Sequence, residues 1–190
     1  RQAQRLLLEG GSKTVVPQLV KLATDRTLDE AGMAPGAMHA IQTLERLHEV
    51  DPGTEGYPAV LAGLTHPAAG VRRAAVQALA STDSHLGDDD EAKRLGAILN
   101  ANTLADKEPQ VVLATLLALA DLPVSKAAGE KIAPLFNDSK LVADRWLADA
   151  LVAAAATHAE SVLSTVDLAR TDEGAKRLAI VAEHFARSDG

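Results

Sequence analysis

Apolar residues recur along most of this chain at steps of three and four, the spacing that gathers them on one face of a helix. Over residues 14–23 the stripe is Val15, Val16, Leu19, Val20 and Leu22. Pro35 opens a second stretch, running to about residue 50, with Met38, Ile41, Leu44 and Leu47 in line. Further helical stretches follow at 57–64 and 71–80, then 91–104 and 109–120, 126–136 and 141–157, and 158–169 and 173–187. The breaks between them carry turn residues: Asp51-Pro52-Gly53, His66-Pro67, Leu122-Pro123 and Asn137-Asp138. Residues 1–9 read as one more helix, stopped by Gly10-Gly11. No stretch alternates with the period of two that marks a strand.

One stretch comes back. Val71-Arg72-Arg73-Ala74-Ala75-Val76-Gln77-Ala78-Leu79 is answered about 40 residues later by Val111-Val112-Leu113-Ala114-Thr115-Leu116-Leu117-Ala118-Leu119. Each run follows a proline turn, and each turn follows a shorter apolar helix. A helix pair recurring at this period predicts an all-α, right-handed solenoid of about five helix pairs. The pairs fall at about 14–50, 56–80, 91–120, 126–157 and 158–187 of a single domain, with 1–9 ending a preceding repeat. The spacing is uneven, since Asp106 to Asp138 is 32 residues and Asp138 to Asp172 is 34.

These residues resemble the HEAT repeat of the armadillo-like superfamily, in which an aspartate ends the first helix and a valine-arginine opens the second. Asp25, Asp106 and Asp138 stand at the aspartate position, and Arg72 alone stands at the arginine position. Val112 and Ala143 replace that arginine in later repeats, so the polar ladder of regular HEAT proteins is mostly missing. A narrower likeness joins residues 34–44, Ala34-Pro35-Gly36-Ala37-Met38-His39 onward, to His66-Pro67-Ala68-Ala69-Gly70-Val71-Arg72-Arg73. Together they are similar to the HEAT segment of large exported bacterial proteins carrying a dehydrogenase-like propeller and a c-type haem domain. That resemblance implies a periplasmic or exported setting and a fragment of a longer multidomain chain. No Cys-x-x-Cys-His stands in this sequence, so any haem domain would lie outside it.

Composition sharpens the helical reading. The 190 residues are 47% hydrophobic, only 2% aromatic and free of cysteine. Alanine and leucine lose little freedom in a helix. Without cysteine there is no disulfide and no thiolate metal site. No apolar run approaches the about 18 residues a membrane span needs. The formal net charge is −7, and the basic residues are not bunched, which disfavours nucleic acid and anionic membranes as partners.

Candidate chemistry is sparse. His48-Glu49 is a dipeptide of the kind that deoxyhypusine hydroxylase, a HEAT-type enzyme, uses several times to bind two irons. It occurs once here; His158 with Glu160, and Glu183-His184, do not complete a set. Structural or solvated roles are expected for these histidines. His39 is expected to be partly buried and to fix the connection 24–34 through a loop carbonyl. The run Asp88-Asp89-Asp90-Glu91 lacks the spacing of a calcium loop and reads as capping for the helix that follows. Arg72 and Arg73 are expected at the exposed start of one helix, as a solvated pair or an inter-repeat bridge. Trp146, with Asp144, Arg145 and Asp149, echoes the tryptophans and aspartate of HEAT-like alkylpurine DNA glycosylases, without their basic groove. It is expected in the core with Val71, Ala75, Leu79, Val111, Leu116, Leu119, Leu147 and Leu151, and Trp146→Ala then costs about 3–5 kcal/mol. Leu6, Leu7 and Leu8 are expected to be exposed at an end from which a neighbouring repeat has been cut.

The function these features favour is a non-catalytic scaffold without cofactor or metal. Its concave second helices would face another protein or a neighbouring domain of the same chain. The candidate surface is Gln42, Glu45, Arg46, Arg73 and Gln77. The alternatives are a HEAT-like enzyme of the glycosylase or bilin-lyase type, and a spacer domain in a redox protein.

Overall fold

The computed structural model describes residues 15–81, 87–165 and 171–188. The helix expected over residues 1–9 and the exposure of Leu6 to Leu8 lie outside them. Every described element is helical: α1 (Val16–Ala23), α2 (Pro35–Arg46), α3 (Tyr57–Gly63), α4 (Ala69–Ala80), α5 (Asp88–Asn100), α6 (Pro109–Asp121), α7 (Lys126–Ile132), α8 (Ser139–Ala143), α9 (Arg145–Thr157), α10 (Ala159–Thr165) and α11 (Asp172–Ser188). Short 3-10 turns at Thr103–Ala105 and Ala133–Asn137 complete the set. Proline occupies the first turn of α1, α2, α3 and α6, where its missing N–H would have no helical partner.

The chain divides into two compact units, Arg1–Ala101 and Asn102–Gly190. In the first, α1 packs on α2 and α3, and α2 packs on α4. Its core holds Ile41, Leu44, Val60, Val71, Val76, Leu79 and Ile98. Gly63 makes the contact among α2, α3 and α4 close: a Cβ there would lie 2.7 Å from Ile41 Cδ1 and 3.0 Å from Ala75 Cβ. In the second unit α9 packs on α6 and α11, and α7 packs on α10. Leu116, Leu119, Ile132, Phe136, Leu151 and Val162 fill its core. Gly129 plays the part of Gly63, since a Cβ there would fall 1.8 Å from Ser161 Oγ on α10.

Each unit contains one connection tied down by a buried histidine. In the first, His66 Nε2 donates to the Asp25 carbonyl at 2.9 Å, and Ala68 N–H donates to His66 Nδ1 at 3.0 Å. In the second, His158 Nε2 donates to the Leu119 carbonyl at 2.9 Å, and Ser125 N–H donates to His158 Nδ1 at 3.0 Å. A nitrogen that accepts a backbone amide does so through its lone pair, so in each ring Nδ1 is the acceptor and Nε2 the donor. The long connection 24–34 is therefore fixed by His66. His39, expected in that role, is exposed, and its Nδ1 donates to Gln42 Oε1 at 3.1 Å.

Arginines do similar work inside the first unit. Arg72, expected at an exposed helix start, is buried, and its Nη1 donates to the carbonyls of His66 and Pro67 at 2.8 and 2.9 Å. It thus braces the turn of its own helix pair. Arg94 on α5 is also buried; it pairs with Asp51 and donates to the Ser81 carbonyl at 2.7 Å.

The helix expected over 141–157 is two helices. Asp144 leaves the helical region (φ −79°, ψ 124°), and its Oδ1 accepts from Trp146 N–H and Leu147 N–H at 2.9 and 3.0 Å. That cap restarts the helix in a register set by Ala148, Leu151, Ala154 and Ala155, all buried. Trp146 falls on the opposite face with Asp149 and Ala153, and is 68% exposed. Leu147 is only half-buried. The expectation that both are core is thus corrected, and the seven other residues expected in the core are buried. The run Asp88–Glu91 is likewise not a cap: Gly87 is the N-cap, and the four acids form the first turn of α5 itself. They oppose the dipole there, and Asp90 pairs with Lys93 at 2.8 Å.

Candidate interaction surface

Once the core is filled, α2, α4 and α9 each keep residues that face water. In the first unit α2 and α4, which pack directly together, carry all five residues expected to form the surface. Arg46, at the end of α2, and Gln77 on α4 are exposed; Gln42, Glu45 and Arg73 are half-exposed. The helices are brought together, yet among the described residues no hydrogen bond or ion pair links the five to one another. They form a polar face in contact with water.

In the second unit the corresponding stripe has a different character. Trp146 stands at the first turn of α9 with the Arg145 guanidinium 5.5 Å from its ring centroid, within cation–π range. Asp149, one turn on, lies 2.9 Å from Arg177 Nη1 on α11 and 4.0 Å from Arg145 Nε. The exposed ring thus lies beside a group of charged residues drawn from two helices. Leu117 on α6 and Ile180 on α11 are also about half-exposed. Arg177 was absent from the sequence-based surface. The spacing of Trp146 and Asp149, three apart on one helix face, was the available signal.

The histidines expected to be structural or solvated are placed unlike any metal set. His48 is exposed in a left-handed turn (φ 58°) and Glu49 is buried. His158 lies beneath a cavity of about 530 Å3 lined also by Val124, Ser161 and Phe185. Both its nitrogens are taken by backbone groups, and burial holds its pKa below the ordinary value against the opposing pull of the Leu119 carbonyl. It has neither a free lone pair for a metal nor a proton to exchange with a substrate. Among the described residues no three His, Asp or Glu side chains are grouped to hold a metal ion. No described helix is long and apolar enough to cross a membrane.

Compared with family models, with curated proteins and with solved structures, the chain matches none.

Proposed function

We propose that the chain is a helical-repeat scaffold whose second helices face a protein partner. The partner is either a separate protein or a neighbouring domain of the same polypeptide. The observation that carries this reading is Trp146, a large aromatic side chain in water on a rigid helix. Tryptophan and arginine are the residue types that most often anchor protein interfaces. The Arg145 guanidinium over the ring already favours one arrangement of it, which lowers the ordering needed when a partner covers it. A repeat arrangement of helix pairs is consistent with packing inside each unit, where α2 meets α4, α6 meets α9 and α9 meets α11, while α1 meets α3 and α7 meets α10. Repeats joined in this way leave one long face open.

The test is site-specific photo-crosslinking in the host cell. A photoreactive residue at Trp146 or Gln77 is expected to give a discrete protein adduct, or an internal crosslink in a longer parent chain. The same group at Glu130, on first helix α7, is expected to give none. Equal labelling from both faces, or none from either, refutes the reading.

A further inference from the structure

The connection between α1 and α2 is an ordered loop that holds two large apolar side chains out in water. Leu28 is 41% exposed and Met33 is 57% exposed, and Leu22 at the end of α1 is 43% exposed. Together with Pro35 they line one concave cup of about 280 Å3, with Gly36 at its floor 3.2 Å, measured from an ideal Cβ, from Leu22 Cδ1. Three of the seven large exposed hydrophobic residues of the described chain thus share a single depression.

The loop that builds the cup is fixed at both ends and in its middle. His66 holds the Asp25 carbonyl, and Arg26 Nη2 donates to the Thr65 carbonyl at 2.8 Å. Asp29 N–H donates to the Met33 carbonyl at 2.8 Å, and Gly32, at φ 72°, closes the turn by donating to the Asp29 carbonyl at 3.0 Å. The Asp29 carboxylate also accepts from Ala31 and Met33 N–H through Oδ1. A loop held by this many bonds fixes the backbone that carries Leu28 and Met33, so only their side chains remain to be ordered on binding.

Charge identifies the occupant. The cup is lined by two carboxylates, Asp25 and Asp29, and by no basic side chain. Asp29 accepts the amides of Ala31 and Met33 through Oδ1, the Asp25 carboxylate accepts from the amide and the hydroxyl of Thr27, and both acids face the cup without a cation to neutralise them. Glu30 stands exposed beside them. Arg26, the nearest cation in the loop, is turned away to Thr65. A second copy of the chain docking cup to cup would set these acids against themselves, and an anionic lipid surface would be repelled. The volume suits one or two aliphatic side chains.

We infer that this cup binds a peptide segment of a protein partner in which one or two apolar residues are flanked by lysine or arginine. The apolar residues enter between Leu22, Leu28 and Met33, and the flanking cations meet Asp25 and Asp29. Methionine in the wall lets the cup adapt to side chains of different shape. The site is independent of the Trp146 face, which lies on the other unit, so either can fail alone.

The experiment is an array of 12-residue peptides with one to three apolar residues at the centre, half flanked by Lys or Arg and half by Asp or Glu. The intact chain is titrated against them by fluorescence anisotropy, and hits are mapped by amide chemical shifts. Basic-flanked peptides are expected to bind at least about tenfold tighter than their acidic twins. They should shift the amides of Leu28, Asp29 and Met33, and weaken as salt rises. The double substitution Leu28→Ser, Met33→Ser should abolish this binding with an unchanged helical circular dichroism spectrum. Glu30→Lys, which leaves the loop hydrogen bonds intact, should weaken it several-fold. Binding blind to flanking charge, shifts confined to other residues, or no binding by any peptide overturns the inference. So does self-association in sedimentation velocity that Leu28→Ser removes, because the cup is then a contact between copies.

Discussion

Trp146 presents most of its ring to water, and its removal should accordingly cost little. Trp146→Ala is expected to lower unfolding free energy by less than about 0.5 kcal/mol, because the exposed side chain leaves no cavity and the backbone amide bonded to Asp144 is kept. Because it is the sole tryptophan, its fluorescence needs no deconvolution: iodide should quench it efficiently in the native chain. A melt showing a loss of about 3 kcal/mol or more, or an unquenchable signal, would place the ring in the core after all. His158 makes the opposite kind of residue-scale prediction. Its ring is buried, neutral and bonded through both nitrogens, and its folded pKa lies below the ordinary 6.5. The unfolded chain therefore binds a proton first as pH falls. Stability from this residue is complete above about pH 6.5 and declines as pH drops from there towards the depressed folded value. His158→Gln should cost about 1–3 kcal/mol at pH 7.5, since it leaves buried backbone groups without a good partner. It should also flatten the fall in denaturant midpoint between pH 7.5 and 5. Parallel profiles for the two proteins would show that the histidine does not titrate on unfolding.

At the scale of elements, what the sequence reveals depends on whether a decision is local. The stripe of α4 and its echo in α6 are legible because Val71, Ala75 and Leu79, and Val111 and Leu119, repeat with helical period against polar or turn-flanked neighbours. From Leu147 to Ala156 the chain is apolar at all but one position, Asp149, so no face stands out. The register is then fixed by a cap, and nothing in the sequence around Asp144 marks it as a helix start within an unbroken helical pattern. The choice between His39 and His66 was equally hidden, because the deciding hydrogen bond spans 41 residues. Of the expected surface, the sequence shows only that Gln42, Glu45, Arg46, Arg73 and Gln77 are polar; two of them, Arg46 and Gln77, are exposed and three half-exposed. The cup was not legible, since Leu28 and Met33 sit in a stretch without periodicity. The cap yields its own test. Asp144→Ala should destabilise the chain by about 1 kcal/mol through loss of two amide partners. Asp144→Asn should keep most of that stability, which a purely electrostatic role would not allow. Gly129→Ala should be worse than either for its size, about 1–3 kcal/mol, because Ser161 must move to admit a methyl group. A neutral result in a denaturant melt would mean that α7 and α10 are packed loosely enough to admit a methyl group.

At the scale of the whole molecule, charge yields a test between the proposed protein partner and a nucleic acid. Affinity for a duplex comes mainly from cations that neutralise phosphates and release condensed counterions. The chain has 19 lysines and arginines against 26 aspartates and glutamates. Several of the cations are committed elsewhere: Arg72 and Arg94 are buried in hydrogen bonds to carbonyls and Asp51, and Arg26 is bonded to Thr65. Near Trp146, where a base could stack, Arg145 and Arg177 share Asp149, so an approaching phosphate would compete with a carboxylate already in place. Stacking alone contributes about 1–3 kcal/mol per base, well short of the −8.2 kcal/mol that corresponds to a micromolar complex. A duplex of about 20 base pairs is therefore expected to show no saturable binding at physiological salt in an anisotropy titration. Lowering the salt should gain little, because few phosphate contacts can form and the salt slope scales with their number. Micromolar binding with a steep salt slope, lost in Trp146→Ala and in Arg145→Ala, would reverse this conclusion. The α9 face would then be a stacking platform for bases instead of an anchor for protein.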